Sequence, residues 1–325
     1  MILVTGAAGF IGSVLARELN KLDRTDLILV DRLGTDEKWK NLRNVQFDEF
    51  IHADDLFQSG MEELLDMVDF IFHIGACSST TERNVDFLMD NNVNYSKSLW
   101  ALAVQKKIPM IYASSAATYG DGNLGYSDEH NKTDELMPLN AYGWSKQVFD
   151  QWVLKRSQTP PKWFGLKFFN VYGPNEYHKD DMRSLVHKGF GQINETGKVK
   201  LFKSHKEGFK DGEQLRDFIY VKDVCRAMIE MCLDEGKAEN GIYNLGTGQA
   251  RSFKDLAIAT FKAMGKEEKI EYFDMPEAIR GQYQYYTQAD MSKFQKNFPK
   301  FKFSSLEEGV TDYVQNHLMK DDPFY

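Results

Sequence analysis

Cysteine is scarce: the 325 residues hold three, Cys77, Cys225 and Cys232, and none of them makes a CxxC pair. That excludes a thiolate zinc site, offers no disulfide scaffold and suits a reducing compartment. Cys225 and Cys232 recur at helical spacing and read as core. Long apolar runs are lacking as well. The longest, Val68 to Cys77, is interrupted by His73 and falls far short of the ~20 residues that span a bilayer. No signal peptide precedes the first strand, so the sequence predicts a cytoplasmic protein without a membrane span. There is no internal repeat and no low-complexity linker. Excess positive charge is missing too: the net charge of -8 argues against a nucleic-acid or anionic-membrane surface and toward a small solute partner. What is present, 42% hydrophobic and 27% charged residues, is the composition of a soluble globular protein, and the length allows one large or two intimate domains with a substantial core.

The first dozen residues, Met1-Ile-Leu-Val-Thr-Gly-Ala-Ala-Gly-Phe-Ile-Gly12, organise the rest. Ile2, Leu3 and Val4 read as a buried parallel strand, and Phe10, Ile11, Val14, Leu15 and Leu19 recur at helical spacing behind it. Between them, Gly6 permits a tight turn, Gly9 a close approach of backbone to a pyrophosphate, and Gly12 close packing of helix on strand. A second strand, Leu27 to Val30, ends in Asp31 about 20 residues on, where an acid accepts from an adenosine ribose hydroxyl. The spacing is GxxGxxG, which points to the short-chain dehydrogenase/reductase branch of dinucleotide-binding folds. Arg32 and Lys38 either pair with a 2′-phosphate or belong to a solvated loop.

Strands are expected near Val45 to Phe50, Phe70 to Ile74, Ile108 to Tyr112 and Trp163 to Phe169, with a helix from Met61 to Met67. The alternation predicts an α/β fold, a Rossmann-type doubly wound parallel sheet with a smaller, interleaved C-terminal α/β domain. The fourth strand runs through Ile74 into Gly75-Ala76-Cys77-Ser78, small residues beside which a ribose and nicotinamide could pass. Asn91 either binds the cofactor or caps a helix. The fifth strand delivers Ser115 to the same sheet edge. A later helix carries Tyr142-Gly-Trp-Ser-Lys146, whose tyrosine and lysine share a face. The ammonium is expected to favour the ionised phenol, with Ser115 sharing the substrate hydroxyl. Beyond Phe169 the alternation weakens. A return strand (Arg216 to Val221), a helix (Asp223 to Leu233), a strand and turn (Gly241 to Gly248), a helix (Phe253 to Met264), the Arg280 to Tyr283 segment and a last helix (Leu306 to Leu318) follow. The expected division is residues 1–169 for the cofactor, with returning segments near 217–240 and 284–293, and 170–325 for the substrate.

The glycine loop, Phe72-His-Ile-Gly-Ala-Cys-Ser-Ser-Thr-Thr-Glu82, Tyr112-Ala-Ser-Ser-Ala-Ala-Thr-Tyr-Gly120, the YGWSK helix, Phe169-Asn-Val-Tyr-Gly-Pro174, Asn244-Leu-Gly-Thr-Gly248 and Gln284-Tyr-Tyr-Thr-Gln-Ala-Asp290 together resemble the ADP-L-glycero-D-manno-heptose 6-epimerases nearly end to end. The resemblance implies bound NADP (NAD possible), inversion at C6 of an ADP-linked heptose, a role in lipopolysaccharide core synthesis, and a homo-oligomer. It implies Tyr142, Lys146 and Ser115 as catalytic residues, with Lys179 as a second acid/base. The competing reading of Lys179 is a phosphate or cofactor contact, since an ordinary lysine is no base. Cofactor contacts carried over are Gly6, Gly9, Phe10, Ile11, Gly12, Asp31, Arg32, Lys38, Ile74, Gly75, Ala76, Cys77, Ser78, Asn91, Lys146, Val171 and Lys179. Substrate contacts are Ser115, Asn170, Asp181, Lys188, Phe202, Arg216 and Tyr283. The chain departs from the family pattern at Ile74, Asp181 and Lys188 and in a longer 203–214 loop.

A nucleotide-sugar 4,6-dehydratase needs an acid and base just after the strand-five serine, where this chain has Ala116-Ala117. The chemistry is thereby restricted to oxidation and reduction. A UDP-hexose 4-epimerase is the enzymatic alternative, and a silent NADP-binding regulator the non-enzymatic one. Intact Ser115, Tyr142 and Lys146 argue against the regulator.

Overall fold

The computed structural model describes residues 1–234, 236, 238–280 and 283–325. In chain order come β1 (Ile2–Thr5), α1 (Phe10–Asn20), β2 (Leu27–Asp31), β3 (Glu49–His52), α2 (Glu62–Asp66), β4 (Phe70–His73), α3 (Val85–Leu88), α4 (Tyr95–Lys106), β5 (Met110–Ser115), α5 (Ala141–Leu154) and β6 (Trp163–Phe168). Then follow β7 (Asn170–Tyr172), α6 (Leu185–Thr196), β8 (Val199–Phe202), β9 (Leu215–Tyr220), α7 (Val221–Cys232), β10 (Gly241–Leu245), β11 (Ala250–Ser252), α8 (Phe253–Ala263) and β12 (Ile270–Phe273). Seven strands form a parallel sheet in the order β10-β6-β5-β4-β1-β2-β3. Strand order reverses between β1 and β4, and crevices at such switch points, outside the strand carboxyl ends, are where open α/β sheets bind ligands.

The sheet is buried on both faces because its strands are apolar at successive positions. Ile2 and Val4 face α1 and α7 in one core cluster, while Leu3, Ile28 and Ile71 face the α4/α5 side in another. There Trp100 lies edge-on to Tyr112, Phe149, Trp152 and Trp163. Burying aromatic rings of this size contributes several kcal/mol and leaves few alternative packings.

Several expected strands shift. The third begins at Glu49, not Val45: Val45 is buried but packs on the helix-covered face, and the ladder with β2 opens at Ile28 opposite Glu49. The fifth extends past Tyr112 through Ser115, because Ala113, Ser114 and Ser115 pair with Leu166, Lys167 and Phe168 of β6. The return strand, β9, joins β7 in parallel and β11 in antiparallel fashion in a small separate sheet. It is β10, the expected strand and turn at Gly241, that completes the main sheet beside β6. The last helix is α-helical over Leu306–Tyr313 and continues as a π-helical turn over Val314–Leu318. Of the Arg280 to Tyr283 segment, Gly281 and Gln282 lie outside the described residues. Among the described residues no helix is long and apolar enough to cross a membrane.

Candidate active site

A cavity of about 1300 Å³ runs along the carboxyl ends of the strands. Ligand pockets commonly hold ~300–1,000 Å³, so this one has room for a dinucleotide and a second ligand together. One end is built by the glycine loop. Gly6 takes φ +66, and a Cβ there would stand 2.5 Å from the Gly75 Cα, so loop and β4 end approach as only two glycines allow. A Cβ on Gly12 would stand 2.1 Å from the Gly6 carbonyl. The N-cap of α1 is Gly9, which offers no side-chain acceptor. The first amides of α1 are therefore left for an anion. This cradle fits a pyrophosphate.

Asp31 accepts from the Ala8 amide (2.8 Å), its neighbour Arg32 amide (2.7 Å) and the Lys38 ammonium (2.9 Å). Arg32 reaches across the cavity wall: its guanidinium donates to Asp54 (2.9 Å) and to the Asn91 side-chain oxygen (2.7 Å). Asn91 is thus no helix cap. The cap of α3 is Asn84, which accepts from the Phe87 amide, and Asn91 sits inside a π-helical turn, Met89–Asn94. That widened turn also brings Asn92 inward, where it holds both backbone groups of Cys77 (2.8 and 2.9 Å) and the Ser145 hydroxyl (3.1 Å). Neither Asn92 nor Asp54 stood out in the sequence; an insertion of one residue into a helical turn carries no compositional signal.

At the far end, Ser115 closes β5 and Tyr142 and Lys146 stand one turn apart on α5, which Asn140 caps through the Gly143 amide (2.8 Å). Lys146 is buried and donates to the Ala113 carbonyl (2.9 Å). Burial draws its pKa down to about 8, partly offset by the charge of Asp150. Ser115 beside it favours the ionised form of Tyr142, yet burial, the larger effect, pushes its pKa up from 10. The expected depression by Lys146 is therefore not present in the chain alone. Desolvation dominates, and the Lys146 ammonium gives its hydrogen to a backbone carbonyl and not to the phenol.

Lys179 lines the cavity beside the glycine loop, its ammonium 5.4 Å from the Phe10 ring, and burial lowers its pKa against the opposing charge of Glu176. Arg216 is only 7% exposed. It donates to the Leu215 carbonyl (2.8 Å) and lies against the Tyr283 and Phe253 rings at 5.1 and 5.6 Å, with no carboxylate partner among the described residues. A buried guanidinium so arranged keeps charge-assisted donors available to an anion.

The cavity wall brings together Gly6, Gly9, Phe10, Ile11, Gly12, Asp31, Arg32, Lys38, Ile74 to Ser78, Asn91, Ser115, Tyr142, Lys146, Asn170, Val171, Lys179, Asp181, Arg216 and Tyr283. Two expected substrate contacts are set back from it. Phe202 packs edge-on behind Tyr283 (6.1 Å), and Lys188 turns its ammonium to the Asp181 carbonyl (2.5 Å). Thr80, Thr81, Gln284 and Thr287 also line it, inside motifs quoted above but not singled out there, as do Tyr95, Asn140 and His178, which no periodicity or motif marked.

A glycine cradle, a sheet-edge serine and a YxxxK pair with its lysine buried, around one crevice, define a nucleotide-dependent protein of short-chain dehydrogenase/reductase type. Residues 2–246 match the model of the NAD dependent epimerase/dehydratase family, and the chain belongs to that family. It is 50% identical, over the whole of both chains, to the ADP-L-glycero-D-manno-heptose-6-epimerase of Fusobacterium nucleatum. Among solved structures it resembles the Helicobacter pylori ADP-L-glycero-D-manno-heptose-6-epimerase (TM-score 0.81, 32% identity, 97% of this chain and 95% of that one). It also resembles a mutant UDP-glucuronic acid 4-epimerase of Bacillus cereus in complex with UDP-4-deoxy-4-fluoro-glucuronic acid and NAD (TM-score 0.77, 25% identity, 97% and 99% covered).

Proposed function

We propose that the chain converts ADP-D-glycero-D-manno-heptose to its L-glycero epimer by oxidation at C6 and re-reduction on the opposite face. The observation that carries this is that Ser115, Tyr142, Lys146 and Lys179 line one cavity. Full-length identity to relatives of that name supports the sugar.

A bound nicotinamide supplies a hydride acceptor and, a step later, the donor. The chain does the rest. Ser115 and Tyr142 hold the C6 hydroxyl, Tyr142 takes its proton, and Lys146 holds a cation beneath the phenol. Lys179, with its proton affinity lowered by burial, serves the carbonyl presented the other way round. Two proton-transfer groups suit a reaction in which the 6-keto sugar turns over while the cofactor stays put. Arg216 pairs with the diphosphate, and Asn170, Asp181 and Tyr283 contact the sugar nucleotide. Ala116-Ala117 leaves no acid/base pair for elimination. We further propose NADP over NAD by a modest margin. Lys38 and Arg32 line the cavity beside Asp31 and carry the charge a 2′-phosphate would need, although Asp31 and Asp54 already engage them. Residues 1–169 form the cofactor part and 170–325 the substrate part, with returns near 217–240 and 284–293; α7, in the first of these, packs on α1, and β10, just beyond it, joins β6.

The test is turnover of substrate deuterated at C6 by apo-protein loaded with NADP or, in parallel, NAD, with UDP-glucose offered as the competing substrate. Product should keep the label at C6, with faster turnover under NADP and none of UDP-glucose. Exchange of that label with water would demand carbon deprotonation and sink the redox mechanism.

A further inference from the structure

Lys179 belongs to a segment that no sheet holds. Asn175 and Asp180 flank it with φ +72 and +44, conformations that L-residues keep only when surroundings over-determine them. The first of these is fixed from outside. Fully buried, Asn175 donates to the Ser13 hydroxyl of α1 (3.0 Å) and accepts from the Tyr325 amide (2.9 Å). Tyr177 donates to the Pro323 carbonyl (2.7 Å), and its ring meets Phe324 edge-on at 5.1 Å. Residues 323–325 are in turn clamped to the cofactor side. The Tyr325 hydroxyl bonds Glu18 and Lys21 of α1. Lys222 stands 4.3 Å from the Tyr325 ring and Arg43 4.9 Å from the Phe324 ring. Beyond Lys179 the exposed Asp180 and Asp181 have no tie to the strap; their carbonyls meet the nearby Arg183 amide and side chain and the Lys188 side chain.

We propose that Pro323–Tyr325 is a positioning strap: it sends no group into the cavity but registers the Lys179 segment against α1, whose first turn is the phosphate cradle. Both ends of the strap's contacts matter. Helix α1 sets where the cofactor lies, the Asn175–Tyr177 segment sets where the Lys179 ammonium lies, and the strap fixes one relative to the other. The proposal rests on the acid/base reading of Lys179 for its effect on rate, but not for its effect on the segment.

The experiment compares Phe324→Ala/Tyr325→Ala with the conservative Tyr325→Phe, which keeps the ring and the backbone amide. Each is examined alone and with Lys179→Met, in the full chain carrying cofactor. Misplacing a catalytic group by about an ångström costs on the order of 100-fold. The double-alanine variant should therefore lose roughly 10- to 100-fold in kcat with KM changed little, Tyr325→Phe, which keeps the ring but drops the hydroxyl ties to Glu18 and Lys21, should show a smaller part of that loss, and both losses should vanish in the Lys179→Met background. Amide exchange over residues 175–179 should rise tenfold or more while α1 is unchanged. Unaltered exchange there would overturn the strap whatever Lys179 does. A kcat loss of equal size with and without Lys179 would show general destabilisation and overturn it too. Wild-type kcat in Lys179→Met alone would sink the acid/base reading, leaving the exchange measurement to decide the strap.

Discussion

Tyr142 and Lys146 are shifted in opposite directions by the same cause. Burial penalises phenolate and ammonium alike, so the phenol rises above 10 and the ammonium falls to about 8. Tyr142→Phe keeps the ring and removes the proton acceptor. Turnover should fall by about 10²–10⁴-fold, while cofactor affinity and melting temperature stay near wild type. Steady-state kinetics with a binding isotherm checks this, and wild-type turnover would remove Tyr142 from the mechanism. Much of this site was legible from residue types at set spacings, because Tyr and Lys four apart share a helix face whatever surrounds it. The direction of the phenol's shift was not, since desolvation depends on what packs over the helix.

The glycine loop between β1 and α1 is set by contacts no side chain could enter. Gly12 lies over the Gly6 carbonyl, and adding one methyl there forces α1 away from the sheet. Gly12→Ala should destabilise the protein by about 1–3 kcal/mol, the cost of overpacking, and should weaken cofactor binding more than tenfold because the helix amides move off the phosphate. Denaturant unfolding and isothermal titration read the two effects separately; a neutral result in both would show that the loop relaxes freely. The π-helical turn at Met89–Asn94 is the opposite case. Its sequence, Met-Asp-Asn-Asn-Val-Asn, reads as an ordinary helix start, and only the demand of Cys77 and Ser145 for partners draws Asn92 inward.

Across the whole molecule, burial lowers the pKa of His73 to about 3, of His187 and His317 to about 4, and of His130 and His178 below the usual value. His73 is the deepest, bridging Thr5 (2.7 Å) and Ser96 (2.8 Å) with both ring nitrogens. Between the folded and unfolded values the unfolded chain binds more protons, so stability rises with pH across that window. Stability should thus be fully present above pH 6.5 and drain away as pH falls through about 4. His73→Asn should lower the melting temperature at pH 7.5 yet flatten the fall below 6.5. Melting curves from pH 4 to 8 test it, and parallel pH dependences would exclude His73 as a contributor.

By itself the sequence determined the local pieces: apolar strands buried on both faces, a glycine loop at the first βα turn, a YxxxK face, and a serine shortly after the expected fifth strand. Each is set by periodicity or by the steric freedom of neighbours in the chain. Contacts between distant segments were decided only by tertiary structure. That β10 and not β9 completes the main sheet, that Phe202 and Lys188 stand behind the cavity wall, and that Pro323–Tyr325 braces Asn175 all depend on which surfaces meet once the sheet has formed. Burial and partner choice arise at that meeting, and no spacing along one strand or helix encodes them.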